Sequence, residues 1–108
     1  MEKQLKARVF PRIWAKTVKG DKITRDYMYT LDGPFDEERM FEYICEITRA
    51  MDIATPLVLK HHVYNFVHFN IAKFLAREYV EPVDFDFFTL ENTTGTIKPI
   101  PRYFNEYD

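Results

Sequence analysis

Cysteine is nearly missing from this chain: Cys45 stands alone among 108 residues. One thiol makes no internal disulfide, and no pair of cysteines offers itself to zinc, so a disulfide scaffold and a zinc finger are both excluded. Glycine is scarce too. Gly20, Gly33 and Gly95 are widely separated turn residues, which excludes a glycine-rich phosphate cradle of the P-loop type. Apolar runs are broken by charges after a few residues, which excludes a membrane-spanning helix, and the opening MEKQLKARVF lacks the long apolar segment of a secretory signal. A cytoplasmic protein with no membrane partner and no cofactor is the expectation.

Aromatic residues, in contrast, are abundant. Hydrophobic side chains make up 46% of the chain and aromatics 17%, with ten Phe and seven Tyr. That much apolar surface offsets the chain entropy that keeps polar sequences disordered, and the length suits one core rather than two. Residues 1–91 read as a single domain and 92–108 as an irregular tail rich in proline and aromatics. The net charge of -2 hides an asymmetry: residues 1–25 carry +6 and the remainder -8. A basic front and an acidic remainder suit an anion-binding surface, or charges that match within the molecule and between molecules.

Strand periodicity comes first along the chain. Leu5, Ala7, Val9, Pro11, Ile13 and Ala15 share one parity and Lys6, Arg8, Phe10, Arg12, Trp14 and Lys16 the other, which predicts a strand with the first set turned inward. Pro11 cannot donate to a ladder, so the strand is expected at an edge or broken there. Lys19-Gly20-Asp21-Lys22 supplies a turn, and Ile23, Tyr27, Tyr29 and Leu31 resume the alternation, completing a hairpin. A two-residue loop sets Trp14 opposite Tyr27 and a three-residue loop sets Ile13 there; the second keeps the apolar parities together and is preferred. Asp36, followed by Glu37 and Glu38, is a helix N-cap, and Met40, Ile44, Ile47 and Met51 form the apolar seam of a first helix ending near Asp52. Thr55-Pro56 starts a second helix over roughly 56–67, with a strand at Leu57–Leu59 as the competing reading. A short strand near 70–74 and a final strand over 83–91 follow, against a helix over 65–78 as the alternative. The order β, β, α, α, β, β predicts an α+β fold of two layers, an antiparallel sheet packed against two helices.

All three histidines fall within PLVLKHHVYNFVHFN. On one helix His61 and His68 are about 10 Å apart along the axis, while His61 and His62 point about 100° apart, and the residue four beyond His61 is Asn65. Helical zinc pairs sit four residues apart, so a metal site needs a carboxylate from elsewhere. Asp84 and Asp86, alternating with Phe85 and Phe87, are expected on one strand face; together with His61 or His62 they outline a metal-dependent hydrolase as the weakest functional reading. A wet strand face is the plainer one. Cys45 reads as a buried structural thiol.

The strongest surface candidate is Lys6, Arg8, Phe10, Arg12, Trp14 and Lys16. Basic groups interleaved with aromatics could hold a single-stranded nucleic acid by phosphate contacts and base stacking. They also suit burial against another subunit whose acidic residues answer the arginines, the reading favoured for a chain of pI about 5.9 without an RNA-binding motif. In the tail, Tyr103, Phe104 and Tyr107, with Ile97 and Ile100, are too apolar for a solvated terminus; they are expected to dock on their own domain or to exchange with a neighbour. A non-catalytic, self-associating interaction module is the leading expectation, with a homo-oligomer or protein partner, and nucleic acid second.

Overall fold

The hairpin, two helices and two further strands form in the expected order. The computed structural model describes residues 10–94. β1 (Arg12–Lys19) and β2 (Lys22–Thr30) are followed by a 3-10 turn (Glu37–Arg39), α1 (Met40–Met51), α2 (Lys60–Phe69), β3 (Ile71–Leu75), a second 3-10 turn (Ala76–Glu78) and β4 (Phe87–Asn92). The four strands make one antiparallel sheet in the order β2-β1-β4-β3, an α+β fold. No helix among the described residues is long and apolar enough to cross a membrane.

β1 lies inside the sheet rather than at an edge, because Pro11 sits just before its first residue and costs the ladder no donor. The hairpin pairs in neither expected register, since Tyr27 faces Ala15 rather than Trp14 or Ile13. Its loop has two residues, with Lys19 opposite Lys22, but a bulge follows, so that Thr17 faces Arg25 and Ile13 faces Tyr29. One extra residue in β2 shifts every later side chain by one position, which brings the apolar parities together without a longer loop. Thr24 is that residue, and its hydroxyl lies 2.7 Å from the Thr17 hydroxyl. Gly20 takes the left-handed conformation the turn requires, at φ +64°.

One face of the sheet carries the core. Ile13, Ala15, Ala72, Phe74, Phe88 and Leu90 are buried there, under Tyr43, Ile44 and Ile47 of α1 and Phe66 and Val67 of α2. Asp36 accepts from the Glu38 N–H and caps the 3-10 turn that leads into α1. Asp52, left-handed at φ 60°, ends that helix, as expected.

Two boundaries move. The second helix starts at Lys60 rather than Pro56 and runs on to Phe69, and residues 53–59 are irregular, so neither the early helix nor a Leu57–Leu59 strand forms. Thr55 does not cap it, because its hydroxyl is held 2.8 Å from that of Thr48 on α1. The last strand starts at Phe87, not Val83. Residues 84–86 bend instead: Phe88 and Leu90 point inward from the strand, and Phe85 is buried outside it.

Candidate functional site

No element among those described covers the other face of the sheet. Strand pairing arranges its side chains in three rows across all four strands. Met28, Trp14, Glu91 and Ile71 form the first row. Asp26, Lys16, Thr89 and Lys73 form the second, and Ile23, Val18, Phe87 and Leu75 the third. A polar row is thus enclosed by two largely apolar ones. Ile23, Met28 and Ile71 are exposed on the two edge strands, Trp14, Val18 and Phe87 are half-buried on the central ones, and Leu75 is half-buried on the β3 edge.

The charges here are matched in sign and already organised. The Trp14 indole N–H donates to Asp26 at 3.0 Å, and the Lys16 ammonium sits 3.8 Å from the Trp14 ring centre while pairing with Glu91 at 3.5 Å. Lys73 lies 4.4 Å from the centre of the Phe87 ring. At the centre Thr89 is only 3% exposed, and its hydroxyl has no hydrogen-bond partner among the described residues. A phosphate backbone would find two acids beside the two lysines, and a stacking base would have to displace Lys16 from Trp14.

Arg12, Trp14 and Lys16 therefore lie on the face expected of them, with Phe10 half-buried just before the strand. Lys6, Arg8, Tyr103, Phe104 and Tyr107 lie outside the described residues. Met28, Ile71, Lys73 and Thr89 complete the surface and escaped the sequence reading. Met28 was available from the parity of β2 once the bulge is known; the others depend on which strand β4 chose as its neighbour.

The histidines form a cluster that helical geometry alone did not anticipate. The atoms able to bind a metal in His61, His62 and Glu78 all lie within 4.8 Å of one another, Glu78 being the carboxylate from elsewhere. The two rings lie 4.0 Å apart between centres despite their nominal divergence, because side chains in a first helical turn lean back toward its N-terminus. His62 is fully buried and stacks on Phe74. Its Nδ1 accepts the Leu59 N–H at 2.9 Å, so the neutral ring carries its proton on Nε2, which donates to Glu78 Oε1 at 3.1 Å. The same Oε1 accepts the Leu75 N–H at 2.8 Å. Burial lowers the His62 pKa against the opposing pull of Glu78. For Glu78, burial raises the pKa, but the bonds from Leu75 and His62 outweigh it and hold the carboxyl below its ordinary value.

These bonds use up both ring nitrogens of His62. A metal-binding imidazole donates its other N–H, whereas here the other nitrogen already accepts a backbone bond, so Nε2 could present a lone pair only as an imidazolate or by breaking the cap on α2. His61, exposed and 3.6 Å from Glu78 Oε2, has no such constraint. Cys45, expected to be buried, is half-buried on α1. The cluster acts as a clamp. His62 closes the N-terminus of α2, Glu78 closes that of the second 3-10 turn, and one bond joins the two caps.

Asp84 and Asp86 do not share a strand face. Asp86 accepts the Gly20 N–H at 2.8 Å and pins the hairpin turn, while Asp84 is exposed in the bend. The His68 ring lies tilted against Tyr64, 4.1 Å between centres. Two open clefts lie elsewhere, and in each the arginine is engaged: Arg39 with Glu42 and Asp32, and Arg25 with the Met51 carbonyl at the end of α1. No protein-family model, curated protein or solved structure matches this chain.

Proposed function

We propose that this protein is a non-catalytic, self-associating interaction module whose working surface is the open face of the sheet. The observation that carries this reading is the arrangement of two largely apolar rows around a polar row, on a face that no described element covers. An apolar surface with interleaved charges of both signs is the composition of a protein contact. The cytoplasm, where the single cysteine stays reduced, is the compartment that suits such a module.

Sedimentation over a wide concentration range tests the reading, with the emission of Trp14, the single tryptophan, followed in parallel. The expected result is a mass that rises with concentration while the emission moves to the blue. A constant monomer mass would remove the self-association, and salt-sensitive binding of single-stranded nucleic acid that is lost on Trp14→Ala would replace it with the other function.

A further inference from the structure

We infer that two copies of this chain pack their open sheet faces about a two-fold axis that lies between the sheets and runs along the strands. This rests on the self-association proposed above and names the geometry and residue partners of that contact. A symmetric dimer uses the same patch twice, so wherever one residue of the first copy meets a second residue of the other, the reciprocal contact forms as well. For sheets packed with aligned strands, the axis can run along the strands or across them, and the charges distinguish the two.

An axis along the strands reverses the strand order, setting β2 of one copy over β3 of the other and β1 over β4. In the middle row Asp26 then faces Lys73 of the second copy, at both ends of the row, and Lys16 faces Thr89. In the outer rows Met28 lies against Ile71, Ile23 against Leu75 and Val18 against Phe87, while Trp14 faces Glu91. An axis across the strands keeps each strand over itself. When it passes through the middle row it sets Asp26 on Asp26, Lys16 on Lys16 and Lys73 on Lys73, three like-charge contacts in a surface being dried. The ammonium of Lys73 has an aromatic ring but no carboxylate among its described contacts, and the first axis brings it one. Packed sheets lie about 10 Å apart, a gap that the long lysine and the short aspartate can bridge from opposite sides.

Charge exchange in the full-length chain tests the pairing. Asp26→Lys and Lys73→Asp each turn both ends of the middle row into like pairs, and each is expected to raise the dimer dissociation constant by about tenfold or more. The double variant restores opposite pairs and is expected to return within about threefold of the wild type. Circular dichroism on each variant checks that the fold survives, and Lys73→Asp leaves the Trp14–Asp26 bond untouched. If the wild-type chain is a monomer, the self-association and this geometry fall together, and blue-shifted Trp14 emission in that monomer would show the face covered by the chain's own residues. If the wild type dimerises but the single variants do so equally well, self-association stands and this axis is overturned. Weakened single variants without recovery in the double variant would overturn it as well, because the two charges would then be answering different partners.

Discussion

His62 is engaged at both ring nitrogens, and its neighbour Glu78 accepts two hydrogen bonds on one oxygen. Replacing Glu78 with alanine strands a fully buried N–H and opens the cap on the second 3-10 turn, so a loss of about 2–3 kcal/mol in urea unfolding is expected. The pH dependence follows from the two shifts. Both folded pKa values lie below the unfolded ones, so between the folded and unfolded values the unfolded chain binds more protons and stability falls as the solution is acidified. The His62 contribution is complete above the ordinary histidine value of about 6.5 and declines as the pH falls through the lowered folded value; the Glu78 contribution declines further down, in the carboxylate range. Unfolding midpoints measured from pH 7 to 5 should therefore drop for the wild type and drop less for His62→Gln, which has no titrating ring. An equal decline in both proteins would place the acid sensitivity elsewhere. None of this was legible from residues: Glu78 lies sixteen positions beyond His62, with no periodicity linking them, and only the fold brings them together.

Elements that carry a clear period were legible, and their ends were not. The apolar seam of α1 could be read directly because a helix of that length repeats its pattern several times, whereas Asp36, expected to cap it, caps the 3-10 turn before it. The start of α2 could not be read, since its cap is a side chain inside the helix, His62, instead of the Thr55-Pro56 pair that ordinarily marks one. The start of β4 was obscured because Asp84 and Asp86 alternate with Phe85 and Phe87 as a strand would, although Asp86 is held by the hairpin turn. That turn gives a direct test of element-level reasoning. Gly20 has open space where a Cβ would stand, so Gly20→Ala meets no clash and its cost is that of the left-handed backbone alone, about 1 kcal/mol. Gly20→Asn, better tolerated at φ +64°, should cost less. Equal losses for the two in thermal unfolding would mean that steric crowding, not backbone conformation, controls the site.

At the scale of the whole molecule one sheet separates two kinds of surface, and substitutions on its two faces should behave differently. The α+β class was legible because the order of elements is carried by local patterns, whereas the strand order β2-β1-β4-β3 depends on contacts between distant segments and has no local signature. Alternation along β4 makes Phe88 and Thr89, adjacent in the strand, serve opposite faces. Phe88 is fully buried, 5.8 Å between ring centres from Phe74; its replacement by alanine should cost about 3–5 kcal/mol, a large share of the 5–15 kcal/mol typical of a domain. Met28, exposed in the first outer row, supports no such core. At a concentration low enough to keep the chain monomeric, Met28→Ser should change the unfolding free energy by no more than about 0.5 kcal/mol, yet at high concentration it should lower the average mass seen by sedimentation, because the Ile71 that faces it in the paired copy loses its apolar contact. A Met28→Ser protein as unstable as Phe88→Ala would mean that the outer rows belong to the fold of the single chain. A stable Met28→Ser protein with undiminished association would move the contact surface off the sheet, toward the exposed Tyr64 and Phe69 of α2.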